Sequence, residues 1–178
     1  MHKRVTLYLF ILISFLSLNI QAEKWTVYDR FNNLKAVAYN QGEIIGLSET
    51  GLVIYDKENE ELRTISKING LTHTSPSAIN IYKGSSIIGF KNGGVNIIDK
   101  DKVYVMDEIL YASSLKNKSI NSIYSSETSI YLCCKFGIVW MSPERKEIIE
   151  TWIVGQNSTQ TSIIDMCIHN GMIYALDK

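Results

Sequence analysis

Proline is almost missing from this sequence. Pro76 and Pro143 alone punctuate its 178 residues, and no Gly/Ser linker or low-complexity tract divides them. One continuous architecture is therefore expected. Neither sign of charge is in excess: 18 Lys and Arg stand against 18 Asp and Glu, which excludes the basic stripe a nucleic-acid binder needs. Cysteine is confined to Cys133, Cys134 and Cys167. An odd count with an adjacent pair makes a poor disulfide framework, and in their apolar text (IYLCC, DMCIH) these residues read as small buried hydrophobes. Helical spacing is lacking after the first turns of the chain: no later stretch keeps i, i+3, i+4, i+7 over three turns.

What is present begins with MHKR, then an apolar run from Val5 to Ile20, then QA before EKW. A basic start, a short apolar core and a small residue before polar text describe a secretory signal. Cleavage is expected after Ala22, which makes Glu23 the first mature residue. An uncleaved anchor is the other reading. It needs about 20 apolar residues, whereas this run is shorter and interrupted by Thr6, Ser14, Ser17 and Asn19. No cysteine follows the junction, so a lipoprotein is not indicated. Removing Lys3 and Arg4 leaves 16 basic against 18 acidic side chains, and no transmembrane segment is expected after signal removal.

The dominant feature is a repeat. IIGL at Ile44–Leu47 recurs as IIGF at Ile87–Phe90, IYLC at Ile130–Cys133 and IYAL at Ile173–Leu176, always 43 residues on and without a gap. A second landmark keeps that register: TGLVIYD, GGVNIID and FGIVWMS place Gly51, Gly94 and Gly137 at equivalent points. Each unit holds four short apolar stretches; in the first they are about 34–39, 43–47, 52–56 and 61–66, separated by NQG, SETG and KENE turns. Continuous apolar runs such as LVIY, VNII and IVWM imply strands covered on both faces. Four antiparallel strands per unit, stacked on their neighbours, describe a β-propeller blade.

The expected fold is thus all-β: a partial β-propeller of three complete four-stranded blades (34–76, 77–119 and 120–162) plus an incomplete fourth, 163–178, forming an open arc. EKWTV at Glu23–Val27 echoes the fourth-strand text ETWIV at Glu150–Val154, so 23–31 reads as an outer closing strand within a propeller region spanning 23–178. The next landmark glycine falls due at position 180, so the sequence reads as stopping inside a blade, as a fragment or an early-ended frame would. The landmark glycines follow a tight turn into the third strand, where positive φ or close backbone approach excludes a Cβ.

Chemistry is sparse. His73, in LTHTSPS, and His169, in IHNG, lack a Cys or carboxylate at ligand spacing, and a loop histidine of this kind reads as a solvated side chain. The acidic run Asp56–Glu61 and the pair Asp99/Asp101 fall at the same hairpin of the repeat. They read as polar turns rather than as a calcium loop or a glycosidase pair. Ser125, Ser126 and Ser129 sit in no nucleophile elbow, while Trp140 and Trp152 suit stacked sheets without any ligand. No cofactor, metal or catalytic residue is indicated.

The fuller text, GLVIYDKENEELRTISKINGL, IIGFKNGGVNIID and KSINSIYSSETSIYLCCKFGIVWMSPERKEIIETWIVG, resembles the first propeller of the PorZ family of type IX secretion systems. Related blades form the two-component-regulator propeller of hybrid-kinase sensors. The resemblance implies an exported, periplasmic or outer-membrane-associated surface protein without catalytic residues. Family members join a sortase and a β-barrel in an attachment complex that anchors cargo to anionic lipopolysaccharide. They carry two seven-bladed propellers and a sorting domain, of which this sequence holds part of the first propeller. The alternative is a ligand-binding periplasmic sensor propeller. Such sensors usually show a W-I-G-T-like second strand, unlike IIGL, IIGF, IYLC and IYAL here. A propeller lyase or glycosidase would need convergent carboxylates, which the text does not supply.

Overall fold

The computed structural model describes Phe31 and residues 33–100 and 102–178. The export signal, its Ala22–Glu23 junction, the expected closing strand (but for Phe31) and Asp101 lie outside the described residues. Fourteen strands are described. β1 (Ala36–Asn40), β2 (Glu43–Leu47), β3 (Gly51–Asp56) and β4 (Glu61–Ser66) form one antiparallel sheet in chain order. β5 (Pro76–Tyr82), β6 (Ser85–Phe90), β7 (Val95–Asp99) and β8 (Lys102–Met106) form the second. β9 (Ile120–Ser125), β10 (Ile130–Cys134), β11 (Gly137–Ser142) and β12 (Glu147–Trp152) form the third, and β13 (Ile163–His169) pairs with β14 (Met172–Asp177).

Local chemistry explains the hairpins. Gln41 and Gly42 (φ 46° and 95°), Lys83 and Gly84 (45° and 85°), and Asn170 and Gly171 (48° and 73°) are two-residue turns with both residues left-handed. That geometry matches the twist of the strands it joins. Pro76 stands at the first position of β5, where its missing N–H costs the ladder nothing. One short helix, α1 (Glu108–Tyr111), departs from the all-strand expectation. A single turn leaves no three-turn periodicity in the sequence, and its contribution is to put Ile109 into the core.

The sheets stack side by side as an open arc. β1, β5, β9 and β13 lie next to one another in series, so the first strand of each sheet is the innermost. Each apolar cluster is an interface between successive sheets. Ile45, Leu47, Leu52 and Ile54 meet Ile88 and Phe90 between the first two. Ile87, Val95 and Ile97 meet Ile120, Ile130 and Leu132 between the second and third. Cys133 and Ile138 meet Ile163 and Met166 between the third and the β13–β14 pair. Neighbouring residues on β6 show the principle: Ile88 faces the first sheet and Ile87 the third. Both strand faces are covered, hence the continuous apolar text. Each such side chain contributes roughly 1.5–3 kcal/mol by burial.

The repeat also appears in the hydrogen bonds. Asn40 Nδ2 donates to Gly84 O at 2.9 Å, Asn80 Nδ2 to Ile123 O at 2.6 Å and Asn121 Nδ2 to Ile163 O at 2.6 Å. Three innermost-strand asparagines thus tie each sheet to the next. Ile44, Ile87 and Ile130 stand 43 residues apart on second strands but not on equivalent faces: Ile87 faces forward to the third sheet and Ile130 back to the second, so the two meet and are fully buried. Ile44 lies on the outer face of the first sheet, which no sheet among the described residues covers, and is 39% exposed beside Val37, Tyr39 and Tyr55.

Candidate functional surfaces

The three landmark glycines occupy related but unequal sites. A Cβ on Gly51 would lie 2.2 Å from the carbonyl oxygen of Ile65, and one on Gly137 (φ +145°) would lie 2.0 Å from that of Trp152. Both carbonyls belong to the fourth strand of the same sheet. At Gly94 the obstacle is different: the imidazole of His73, 2.4 Å away.

That imidazole corrects the reading of His73 as a solvated loop side chain, since only 12% of it is exposed. Its Nε2 meets Asp107 Oδ1 at 2.8 Å and its Nδ1 meets Asn92 Nδ2 at 3.2 Å. Asn92 Oδ1 already accepts from the Gly94 N–H, so the amide offers its NH₂ to Nδ1. Nε2 therefore carries the proton and donates to Asp107. The ring also packs edge-on against Phe90 at 5.2 Å. With both nitrogens engaged, His73 pins the loop after β4 to the loop before α1. Asn96, fully buried, reinforces the pin: it accepts from the Thr72 N–H at 3.0 Å and donates to Thr72 Oγ1 at 2.7 Å. Neither role leaves a sequence signal, because the partners lie 19 to 34 residues apart and outside the repeated text.

The hairpin of Asp56–Glu61 resolves as turn chemistry, while Asp101 of the second acidic pair lies outside the described residues. Asp56 accepts from the backbone N–H of Glu58 and Asn59 through Oδ1, and from Asn59 Nδ2 through Oδ2. The Asn59 side chain foremost, then these two amides, hold its carboxyl below the usual range. His169 is exposed, paired with Met172 at the end of β13. Among the described residues no three His, Cys, Asp or Glu side chains are grouped so as to hold a metal ion.

The cysteines divide. Cys133 and Cys134 are buried in β10, and burial pushes both thiols up, Cys134 the more. Cys167 is exposed on β13, which corrects its reading as a buried hydrophobe. In β13 only Ile163 and Met166 reach the core, so the period-2 pattern leaves Cys167 outside.

Two surfaces could receive a partner. A cleft of about 340 Å³ opens between the first two sheets, with Ile54, Ile65 and Ile98 in its wall and the Arg63–Glu43 ion pair (2.6 Å) at its edge. On the third sheet, Tyr131 stacks on Trp140 and on Trp152, which are tilted to each other, with ring centres 6.0–6.2 Å apart.

The family described as "TSS9, PorZ, N-terminal beta-propeller domain" matches residues 44–178. Among curated proteins nothing matches. A solved structure of PorZ, an essential bacterial surface component of the type-IX secretion system of Porphyromonas gingivalis, superposes with a TM-score of 0.70 at 20% identity over 81% of this chain. The extracellular domain of BT4673 from B. thetaiotaomicron, a hybrid two-component system, gives 0.68 at 16% identity over 85%. The computationally designed protein Ika4 gives 0.61 at 11% identity over 86% of this chain and 90% of its own. At these identities the likeness shows the fold alone. The chain spans about a fifth of the PorZ and BT4673 structures, 19% and 20%.

Proposed function

Because this chain belongs to the PorZ N-terminal β-propeller family, we propose that it serves as a non-catalytic, exported accessory subunit of a type IX secretion and cell-surface attachment complex. It acts by binding other protein subunits or lipopolysaccharide at the outer membrane. The observation that carries this reading is the family match, which extends from the second strand of the first sheet to the last residue of β14 and beyond. The side-chain chemistry agrees with a scaffold: both ring nitrogens of His73 are consumed by structural bonds. On this reading residues 1–22 direct export and Glu23 begins the mature chain, with 34–76, 77–119 and 120–162 as successive blades. Gly51 and Gly137 serve each blade as the point where a fourth-strand carbonyl passes, and Gly94 as the seat of His73.

A second reading, a periplasmic ligand-sensing propeller, is favoured by the likeness to BT4673, whose TM-score nearly equals that of PorZ. One experiment separates the two. Deleting the gene from its host should leave secreted cargo in the periplasm, and the outer-membrane product of the intact gene should begin at Glu23. Normal cargo display in the deletion strain overturns the secretion reading, and an accompanying loss of a nutrient-induced transcript would favour sensing.

A further inference from the structure

The dipeptide Asn–Gly occurs three times, as Asn69–Gly70, Asn92–Gly93 and Asn170–Gly171. In an unfolded chain the three are chemically alike. A glycine nitrogen has no side chain beside it, so it reaches the preceding side-chain amide more readily than the nitrogen of a bulkier residue does. The fold makes them unequal. Asn69 is held at both ends, its Oδ1 accepting from the Ser66 N–H at 2.6 Å and its Nδ2 donating to Thr64 O at 2.8 Å. Asn92 is held likewise, by the Gly94 N–H at 3.0 Å and by His73 Nδ1 at 3.2 Å. The Gly93 N–H is itself spent on Phe90 O at 3.1 Å.

Asn170 differs on each count. With Gly171 it makes the two-residue turn between β13 and β14, and both residues are exposed. A Cβ added at Gly171 would meet nothing within 4 Å. Among the described residues the Asn170 amide has no hydrogen-bond partner. Asparagine suits this turn because it accepts a left-handed φ before glycine, and the same choice sets an electrophilic carbon beside an unshielded nitrogen. The corresponding turns of the first two sheets carry Gln41–Gly42 and Lys83–Gly84. Lysine has no side-chain amide, and glutamine would have to close a larger, more slowly formed ring.

We infer that Asn170 is a site of spontaneous deamidation, and that its product unlocks the β13–β14 hairpin. The Gly171 nitrogen, deprotonated by hydroxide, attacks Asn170 Cγ. A new C–N bond forms, the Cγ–Nδ2 bond breaks, and ammonia leaves with a proton taken from water, so that hydroxide is regenerated and a succinimide remains. Water then opens that ring. Opening at the side-chain carbonyl gives aspartate. Opening at the main-chain carbonyl gives isoaspartate, whose backbone runs through Cβ and Cγ and is one atom longer. No oxidant or other reagent is required. The turn sets His169 against Met172 with two residues of ordinary length, and the iso form cannot keep that register. The inference rests on this turn alone: a gene-deletion strain with normal secretion would leave it standing.

Incubation of the full chain in mildly alkaline buffer, followed by peptide mapping, tests it. The Asn170 peptide should convert about tenfold or more faster than the Asn69 and Asn92 peptides, whose hydrogen bonds must open first. In denaturant all three should convert at similar rates. Raising the pH should speed the Asn170 reaction, and an isoaspartyl methyltransferase should label its product. Amide exchange in β14 should rise in the converted chain but not in Asn170→Asp, which carries the charge without the extra atom. Asn170→Gly keeps a left-handed turn, and should show no conversion there and wild-type exchange. Native Asn69 or Asn92 converting ahead of Asn170, Asn170 persisting while the denatured chain converts, or isoaspartate at 170 with unchanged β14 exchange overturns the proposal.

Discussion

Asn80 is held at both ends by the next sheet: its Nδ2 donates to Ile123 O at 2.6 Å, and its Oδ1 accepts from Ser125 Oγ at 3.0 Å. Removing the amide strands a carbonyl and a hydroxyl in a partly buried seam. Asn80→Ala should therefore cost about 1–3 kcal/mol in chemical denaturation, and Asn121→Ala a similar amount. Asn80→Asp should cost more than Asn80→Ala, since it sets a carboxylate against the Ile123 carbonyl. An Asn80→Ala chain as stable as wild type would show that apolar contacts alone join the sheets.

Gly137 and Gly94 should respond differently to a methyl group. Gly137→Ala meets a backbone oxygen and a positive φ together, and about 3 kcal/mol of lost stability is expected. Gly94→Ala meets the His73 ring, a side chain that can be deleted. Its cost should shrink in a His73→Ala background, with a coupling of about 0.5–3 kcal/mol in a double-mutant cycle. Strict additivity would separate the glycine from the histidine.

Thiol labelling of the native chain should modify Cys167 and spare Cys133 and Cys134, whose thiols are buried and pushed up. The two buried thiols should react once denaturant opens β10. Mass spectrometry after a brief iodoacetamide pulse reads the order directly, and early labelling of Cys134 would contradict it.

The Asp56 turn gives stability a pH dependence. Its folded carboxyl titrates below the ordinary 3.8, so the unfolded chain binds the proton more readily. The contribution is complete above that value and disappears as pH falls through the lower, folded one. Wild-type and Asp56→Asn melting temperatures should differ at neutral pH and converge in this acid window. A gap that persists at the acid end would assign the effect to shape rather than charge.

The fold was legible because burial writes itself on a strand twice. Ile87 and Ile88 face opposite neighbours, so the second and third strands read as unbroken apolar words, and stacking copies keep those words 43 residues apart. The seams were not legible. Asn40, Asn80 and Asn121 do the same work, yet 40 and 41 residues separate them, off the register that aligns IIGL with IIGF. A bulge in β5 between Pro76 and Ala78 is one such local shift. His73 was misread for a related reason: its partners come from two loops that the repeat does not describe.

Among the described residues, the side-chain hydrogen bonds that cross from one sheet to the next join residues 41 to 46 positions apart, with the Lys83–Glu144 ion pair, at 61, standing apart. Time on the ribosome can be read from that spacing. At about 5–20 residues per second, a nascent sheet waits roughly 2–9 seconds for the sheet that will cover it. Among the described sheets, each can be covered by the one that follows it in the chain, with one apolar face uncovered at a time.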